Sequence, residues 1–353
     1  MAEISKLQIA ELDFDTIKNN LKDYFNSQAE FTDHDFGGSA VSVLLDILSY
    51  NTYYNAYYLN MLASESFLDS ATLRENVVSL ARNIGYVPRS RSAAKAQISF
   101  SINTTSTTPT LTLGAGLVCI GASEDSTVMF SIPSSITTTV NNGVANFNNI
   151  DVYQGTFLRK QFLVDGSLDQ RFLLDNSFID SSTIVVKVQG PNETGLGREY
   201  SLASNILNID STSETYLIQE VQDEKYELLF GDGYFGKKIE NGAIITATYI
   251  ITDGKEGNGS ANFTYNGRVL DSDDNPVVPS NNVVVTTNQS AQNGGDIERI
   301  DSIKYFAPRI YASQYRAVTA RDYEAIIQSI YPNTESVAVV GGEELDPPEF
   351  GQV

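Results

Sequence analysis

The chain has one cysteine, Cys119, one histidine, His34, and no tryptophan among its 353 residues. A lone cysteine excludes an intrachain disulfide, so burial and hydrogen bonding must hold the fold, and the composition fits assembly in a reducing cytoplasm. A lone histidine excludes a histidine-rich zinc site. A Ser/His/Asp triad would have to use His34, and no Gly-x-Ser-x-Gly elbow occurs. Positive charge is also scarce. Against 44 acidic residues stand 23 Lys and Arg, a formal net charge of −21. That field repels nucleic acid and anionic membranes, so neither is expected as a partner. Only Arg89-Ser90-Arg91 with Lys95 gathers basic residues. No run approaches the roughly 20 apolar residues of a membrane span. Met1-Ala2-Glu3-Ile4-Ser5 lacks the basic and apolar regions of a signal peptide.

What the chain does have is 41% hydrophobic residues, enough for a sizeable core divided over about two or three domains. Its character changes near Pro88. Before it, periodicity is helical. Ile17, Leu21, Tyr24 and Phe25 follow i, i+4, i+7, i+8, with Asp13 or Asp15 as the start. Residues 31–38 break that helix. Ser39 then caps a long second helix to about Leu62. This helix has two stripes: Val41, Leu44, Leu45 and Leu48, and then Tyr50, Tyr53, Tyr54, Tyr57 and Tyr58. A third helix is expected from near Ser70, carrying Leu73, Val77, Leu80, Ala81 and Ile84, closed by Gly85 and barred from resuming by Pro88.

From Lys95 the period becomes two. Strands are expected over 97–102, 111–113, 136–140, 156–163, 183–188, 216–221, 226–230 and 243–251, with Asn141-Asn142-Gly143 as a hairpin turn. No helices intervene, so antiparallel, sandwich-like β structure is expected rather than βαβ units. Residues 271–279 read as an exposed loop. Helices return at about 297–306 and after Thr319, where Thr319-Ala320-Arg321-Asp322 has the arrangement of a capping box. A strand over 335–340 and a turn into a returning strand at 348–353 complete the reading. A domain should not stop there, so continuation beyond Val353 is expected. The fold class is α+β: a helical segment at 1–90, a β-rich middle at 91–290 with room for two subdomains, and the start of an α/β segment at 291–353.

Catalytic motifs fail on context. Gly231-Asp232-Gly233-Tyr234-Phe235-Gly236 matches GxGxxG, but β-rich residues follow it where a phosphate-binding helix is required. The segment instead suits a turn between strands whose glycines supply positive φ. Asp271 to Asn275 begins like a calcium loop, yet Pro276 and Asn282 occupy the positions where an EF-hand needs Gly and Glu. Asp33-His34-Asp35 has no second histidine to join it, and Cys119 sits in an apolar run that suits a buried, inert thiol. Paired carboxylates always occur among so many acids, and none is marked out. No catalytic, metal or cofactor site is expected, nor any enzyme activity.

The tyrosine stripe has two readings, core packing in a helical hairpin or an interface. Tyrosine combines a large apolar surface with a hydroxyl and suits interfaces. Three short helices do not easily cover both stripes of the second helix, which favours the interface. Val41, Leu44, Leu45, Leu48, Tyr50, Tyr53, Tyr54, Tyr57 and Tyr58 are its candidate residues.

Three segments carry a resemblance. Residues 31–52, with Glu65-Ser66-Phe67-Leu68 and Leu73-Arg74-Glu75-Asn76-Val77-Val78, resemble the N-terminal region of the large wedge subunits of T4-like contractile phage tail baseplates. Phe230 to Gly236 with Gly254-Lys255-Glu256-Gly257-Asn258 is similar to the baseplate J-like family. So is Gly294-Gly295-Asp296-Ile297-Glu298 followed by 316–323. Each motif is short, and their shared order is the specific part. The resemblance implies a virion protein whose helices join a multi-chain core bundle with a second copy of itself and a larger wedge protein. A small lysozyme-like wedge protein would lie nearby and lead to the sheath, and dimers would link wedges into a ring around the tail hub. It also implies that Gly231, Gly233 and Gly236 shape a shared turn, and that Arg316 and Asp322 form a structural pair or helix cap. The competing reading is a receptor- or carbohydrate-binding tail protein, which the Thr-, Ser- and Asn-rich middle would suit and the absence of tryptophan disfavours. A wall-degrading glycosidase has only ordinary acidic residues behind it.

Overall fold

The computed structural model describes residues 13–28, 39–105, 108–122, 127–167, 169–195, 197–203, 209–280, 282–314, 316–331, 336–344 and 347–348. The architecture is α+β, with helices first, an antiparallel β-rich middle and helices again near the end. The chain divides into two compact units, 1–86 with 300–316, and 87–299 with 317–353.

The first unit is helical. Helix α1 (Phe14–Asn26) starts at Asp13, whose carboxylate accepts the Thr16 N–H at 3.1 Å. Helix α2 (Ala40–Glu65) starts at Ser39, whose side chain accepts from the Ser42 N–H. Helix α3 (Arg74–Asn83) begins later than its periodicity predicts. Ser70 donates its hydroxyl to the Ser64 carbonyl at 2.6 Å, and this turn delays helix entry to Leu73. Its end is a Schellman closure: Tyr86 N–H bonds Ala81 C=O, Gly85 N–H bonds Arg82 C=O, and Gly85 takes φ 80°. Helix α4 (Ile300–Ser313) runs past Pro308, further than the expected stop near 306. Pro308 offers no N–H to the preceding turn. Arg309 lies 3.5 Å over the Tyr305 ring and donates to the Tyr305 carbonyl, a side-chain contact across this turn.

The second unit is built on two sheets. In the ten-stranded sheet the path runs β14 (Asn262–Tyr265), β3 (Gly116–Ala122), β4 (Thr127–Ile132), β6 (Val144–Gln154), β5 (Ile136–Asn141), β2 (Thr110–Leu113), β15 (Val269–Leu270) and β16 (Pro276–Val277). Strand β1 (Lys95–Asn103) pairs with both β6 and β17 (Val285–Gln292). Residues leading into β14 bond back to β17, with Gly259 N–H to Ala291 C=O at 2.7 Å, so the sheet curls until its ends approach. Ile98, Ile102, Phe130, Phe147 and Cys119 fill its core. The hairpin β5–β6 turns through Asn142 and Gly143, both at positive φ, as a type I′ turn needs.

The seven-stranded sheet runs β7 (Thr156–Leu163), β13 (Ile244–Ile251), β9 (Ile179–Gln189), β10 (Arg198–Leu202), β11 (Thr215–Glu220), β12 (Tyr226–Phe230) and β8 (Phe172–Leu174). One pair, β10 with β11, is parallel. A separate core of Leu174, Val186, Tyr216, Leu228, Ile245 and Tyr249 lies under it. Helix α5 (Ala320–Ile330) follows, and its capping box is present as the sequence spells it. The expected strand at 335–340 does not form over its described part, 336–340. No strand among the described residues pairs with it, and a strand without a ladder has no partner for its backbone groups. The expected turn at 348–353 and the break at 31–38 lie outside the described residues, apart from Pro348.

Candidate interaction surface

Helix α2 buries the wrong residues for an ordinary amphipathic helix. Its buried positions are Ser42, Leu45, Ser49, Ala56 and Asn60, a stripe of mostly small or polar side chains. Ser49 satisfies its hydroxyl on the Leu45 carbonyl at 2.7 Å. Small residues on this face let α1 approach closely. Lys18 pairs with Asp46 at 2.5 Å, and the Phe14 and Tyr50 ring centroids lie 4.8 Å apart.

Most of the large apolar side chains of α2 stay exposed, Tyr50 among them although its ring also meets Phe14 of α1. Val43, Ile47, Tyr50, Tyr54, Tyr57 and Met61 are each between 43% and 58% exposed. Their spacing is four, three, four, three, four, the alternation of a coiled-coil seam. Leu44, Leu48, Tyr58 and Leu62 form an adjoining exposed row, interrupted by Asn51 and Asn55, whose side chains bond each other at 3.1 Å. Tyr50 and Tyr54 stack with centroids 6.2 Å apart at the middle of the seam.

The residues singled out from sequence divide accordingly. Leu44, Leu48, Tyr50, Tyr54, Tyr57 and Tyr58 are exposed, Val41 and Tyr53 are half-buried, and Leu45 is fully buried. Sequence reading missed Val43, Ile47 and Met61. Testing the segment for a period of 3.5 rather than 3.6 would have found them.

The far end of α2 is tied down by one carboxylate. Glu65 accepts from the Thr72 N–H (2.8 Å), the Thr72 hydroxyl (2.6 Å), the Leu73 N–H (3.3 Å) and Asn76 Nδ2 (2.8 Å). Leu73, at the N-cap of α3, has no capping side chain of its own, so Glu65 serves from the preceding helix. Burial works against its ionisation, but these bonds outweigh it and hold the carboxyl down to about 2.

The other sequence motifs resolve into turns. After β12, Asp232 Oδ1 accepts the N–H groups of Tyr234 (2.8 Å) and Phe235 (2.9 Å), and Gly233 N–H bonds Gly236 C=O. Gly233 and Gly236 take positive φ. Gly231 is needed for a different reason: a Cβ there would lie 2.2 Å from the Gly236 carbonyl. Asp271 Oδ1 accepts from the Asp273 and Asn275 N–H groups at 2.9 Å, which makes the calcium-like segment a self-satisfied turn. Among the described residues no His, Cys, Asp and Glu side chains cluster as a metal site. Burial pushes the Cys119 thiol up to about 12. Asp322 caps α5 through the Thr319 N–H at 2.8 Å, while the Arg316 N–H donates to Ser313 C=O. Asp33-His34-Asp35 lies outside the described residues.

The segment that carries this surface is similar to known proteins. The family model for the helical domain of gp6-like baseplate wedge proteins matches residues 13–86. That for C-terminal domain I of the baseplate structural protein gp6 matches 319–353. The baseplate wedge protein gp6 of Enterobacteria phage T4 is 29% identical, over 92% of this chain and 52% of that protein. The chain therefore spans about half the length of this curated relative. A chain of the anti-feeding prophage baseplate, solved by cryo-EM, covers 92% of this chain and 66% of its own at 14% identity, with a TM-score of 0.31, too loose to bear on function. The chain is thus similar to gp6-like baseplate wedge proteins at both matched domains and, at 29% identity, along most of its length.

Proposed function

We propose that this chain is a structural subunit of the baseplate wedge of a contractile-tailed phage, with no catalytic role. It would assemble in the host cytoplasm and end in the tail baseplate of the virion. Its helical segment enters a bundle with a second copy of the chain and a larger wedge protein. The β-rich part acts as a spacer or contact region. The segment from 291 leads into the part through which dimers join wedges into a ring around the hub, with a small lysozyme-like wedge protein nearby. Arg316 and Asp322 stabilise that passage.

One observation carries this reading: α2 turns its small residues inward and its seam of Val43, Ile47, Tyr50, Tyr54, Tyr57 and Met61 outward. Covering the exposed halves of these six side chains would contribute roughly 5–10 kcal/mol, taking about 1.5–3 kcal/mol for a fully buried apolar side chain. This is comparable with the estimated ~4–15 kcal/mol cost of association, so a single helix pair is marginal and a bundle of several helices is the stable solution. Co-expression with the neighbouring wedge proteins, followed by mass measurement of the purified complex, tests it. Two copies of this chain with one larger partner are expected. A chain that stays monomeric beside its neighbours contradicts the reading.

A further inference from the structure

Two sequence motifs that lie far apart meet at one place in the β-rich unit. The chain enters this unit at 87 and leaves its main part at 299. The entering and leaving segments are paired with each other. Ser92 and Gly295 exchange both backbone bonds, at 3.0 and 2.9 Å. Further out, the Glu298 N–H donates to the Arg89 carbonyl at 3.1 Å; further in, Lys95 stands opposite Gln292. The pairs 89/298, 92/295 and 95/292 share one register. A two-stranded antiparallel ribbon therefore runs outward from the sheet, continuous with β1 and β17.

The bonding changes character along this ribbon. Inside Lys95, β1 is held on both sides by strands over an apolar core. Outside it, Arg89-Ser90-Arg91-Ser92 faces Gly295-Asp296-Ile297-Glu298, where the apolar contribution is small: buried Ala93, half-buried Ile297 and Arg91 lying 4.2 Å over the Phe178 ring. Side-chain carboxylates take over. Glu298, 3% exposed, accepts the Arg89 N–H at 3.0 Å. Asp180, 2% exposed, accepts the Ala93 N–H at 2.7 Å and holds its other oxygen on Ser182. Ser90 Oγ accepts the Ser181 N–H at 2.9 Å. Behind the leaving strand, Asn258 clasps Gly294 by both its N–H (2.9 Å) and its carbonyl (3.0 Å). A Cβ on Gly294 would lie 2.3 Å from the Gly254 carbonyl, so the two glycine motifs touch backbone to backbone. Lys255 and Asp296 close the outside at 2.7 Å.

We propose that residues 89–93 with 295–298 form a releasable latch, which opens as one unit while the sheet beyond 95/292 stays closed, with Glu298 and Asp180 as the carboxylates that hold it shut. Polar bonds with little buried apolar area are the regions that open locally at less than the global cost. Each freed residue adds up to about 3.3–3.6 Å of reach. Opening would thus lengthen the two chain crossings at 86/87 and 299/300 together, without unfolding either sheet. This device does not depend on the wedge reading and would stand if that reading failed.

Native-state hydrogen exchange on the full chain tests it. The amides of Arg89, Ser92, Ala93, Gly295 and Glu298 should exchange with one shared protection factor, well below that of Ile98 and Phe147. Glu298→Ala should speed this group at least tenfold and leave Ile98 and Phe147 unchanged, and Glu298→Gln, which keeps an acceptor, should restore part of the protection. Latch amides that exchange only at the rate of Ile98 in the unaltered chain would overturn the proposal. So would amides that exchange independently of one another, or a Glu298→Ala effect of equal size on the sheet.

Discussion

Glu65 offers a sharp test of how the helical unit is held. It closes the turn between α2 and α3 with bonds to Thr72, Leu73 and Asn76. Held from 4.5 down to about 2, its carboxyl favours the folded state by about 3 kcal/mol if the full effect is realised. The group is only partly buried, and solvent screening reduces this to about 1–2 kcal/mol. The sign follows from the depressed value. The contribution is complete above 4.5, the carboxyl's ordinary value, and is lost as pH falls from there towards 2. Glu65→Gln should therefore destabilise the helical unit by about 1–2 kcal/mol at pH 7 and by progressively less below pH 4.5. Urea unfolding followed by far-UV circular dichroism, at pH 7 and across the acid range, reads this directly. An unchanged midpoint at pH 7, or a deficit that persists undiminished at pH 2, would refute the assignment.

Other positions carry their own expectations. Gly231→Ala should cost more stability than Gly233→Ala in thermal unfolding, because the first collides with the Gly236 backbone while the second meets only positive φ, worth about 1 kcal/mol. Equal costs would contradict the close-approach argument. Cys119 is buried with its thiol pushed up to about 12, so iodoacetamide at pH 8 should label it only after denaturation. Asp322→Ala should lose about 1 kcal/mol by breaking the capping box, with Asp322→Glu retaining most of it.

Much of this architecture could be read from residue order. Period-two alternation marked β1, β2, β5 and β7 because each has one face on a core and one away from it. Strand β17 escaped notice because Val285-Thr286-Thr287-Asn288-Gln289 is polar on both faces and is held mainly by its partner β1. Helix α4 runs on from the expected stop near 306 to Ser313, through Pro308, which helix propensity disfavours. The tyrosine helix was legible as a helix with more apolar surface than its neighbours could cover. Which side faced inward was not, because burial there follows small residues such as Ser49 and Ala56, and sequence reading ranks large ones first. The glycine motifs read as turns. That Gly254 and Gly294 meet each other depends on long-range closure of the sheet, which a pass along the chain does not reveal.

The central claim is that the outward seam of α2 is an interface. Changing Tyr54, Tyr57 and Met61 together to Ser alters exposed side chains and leaves untouched both the buried stripe of Ser42, Leu45 and Ser49 and Tyr50, which packs on Phe14 of α1. Circular dichroism should therefore show an intact fold, while size-exclusion analysis after co-expression with the neighbouring wedge proteins should show the complex lost. A triple variant that still assembles into the full complex would contradict the account.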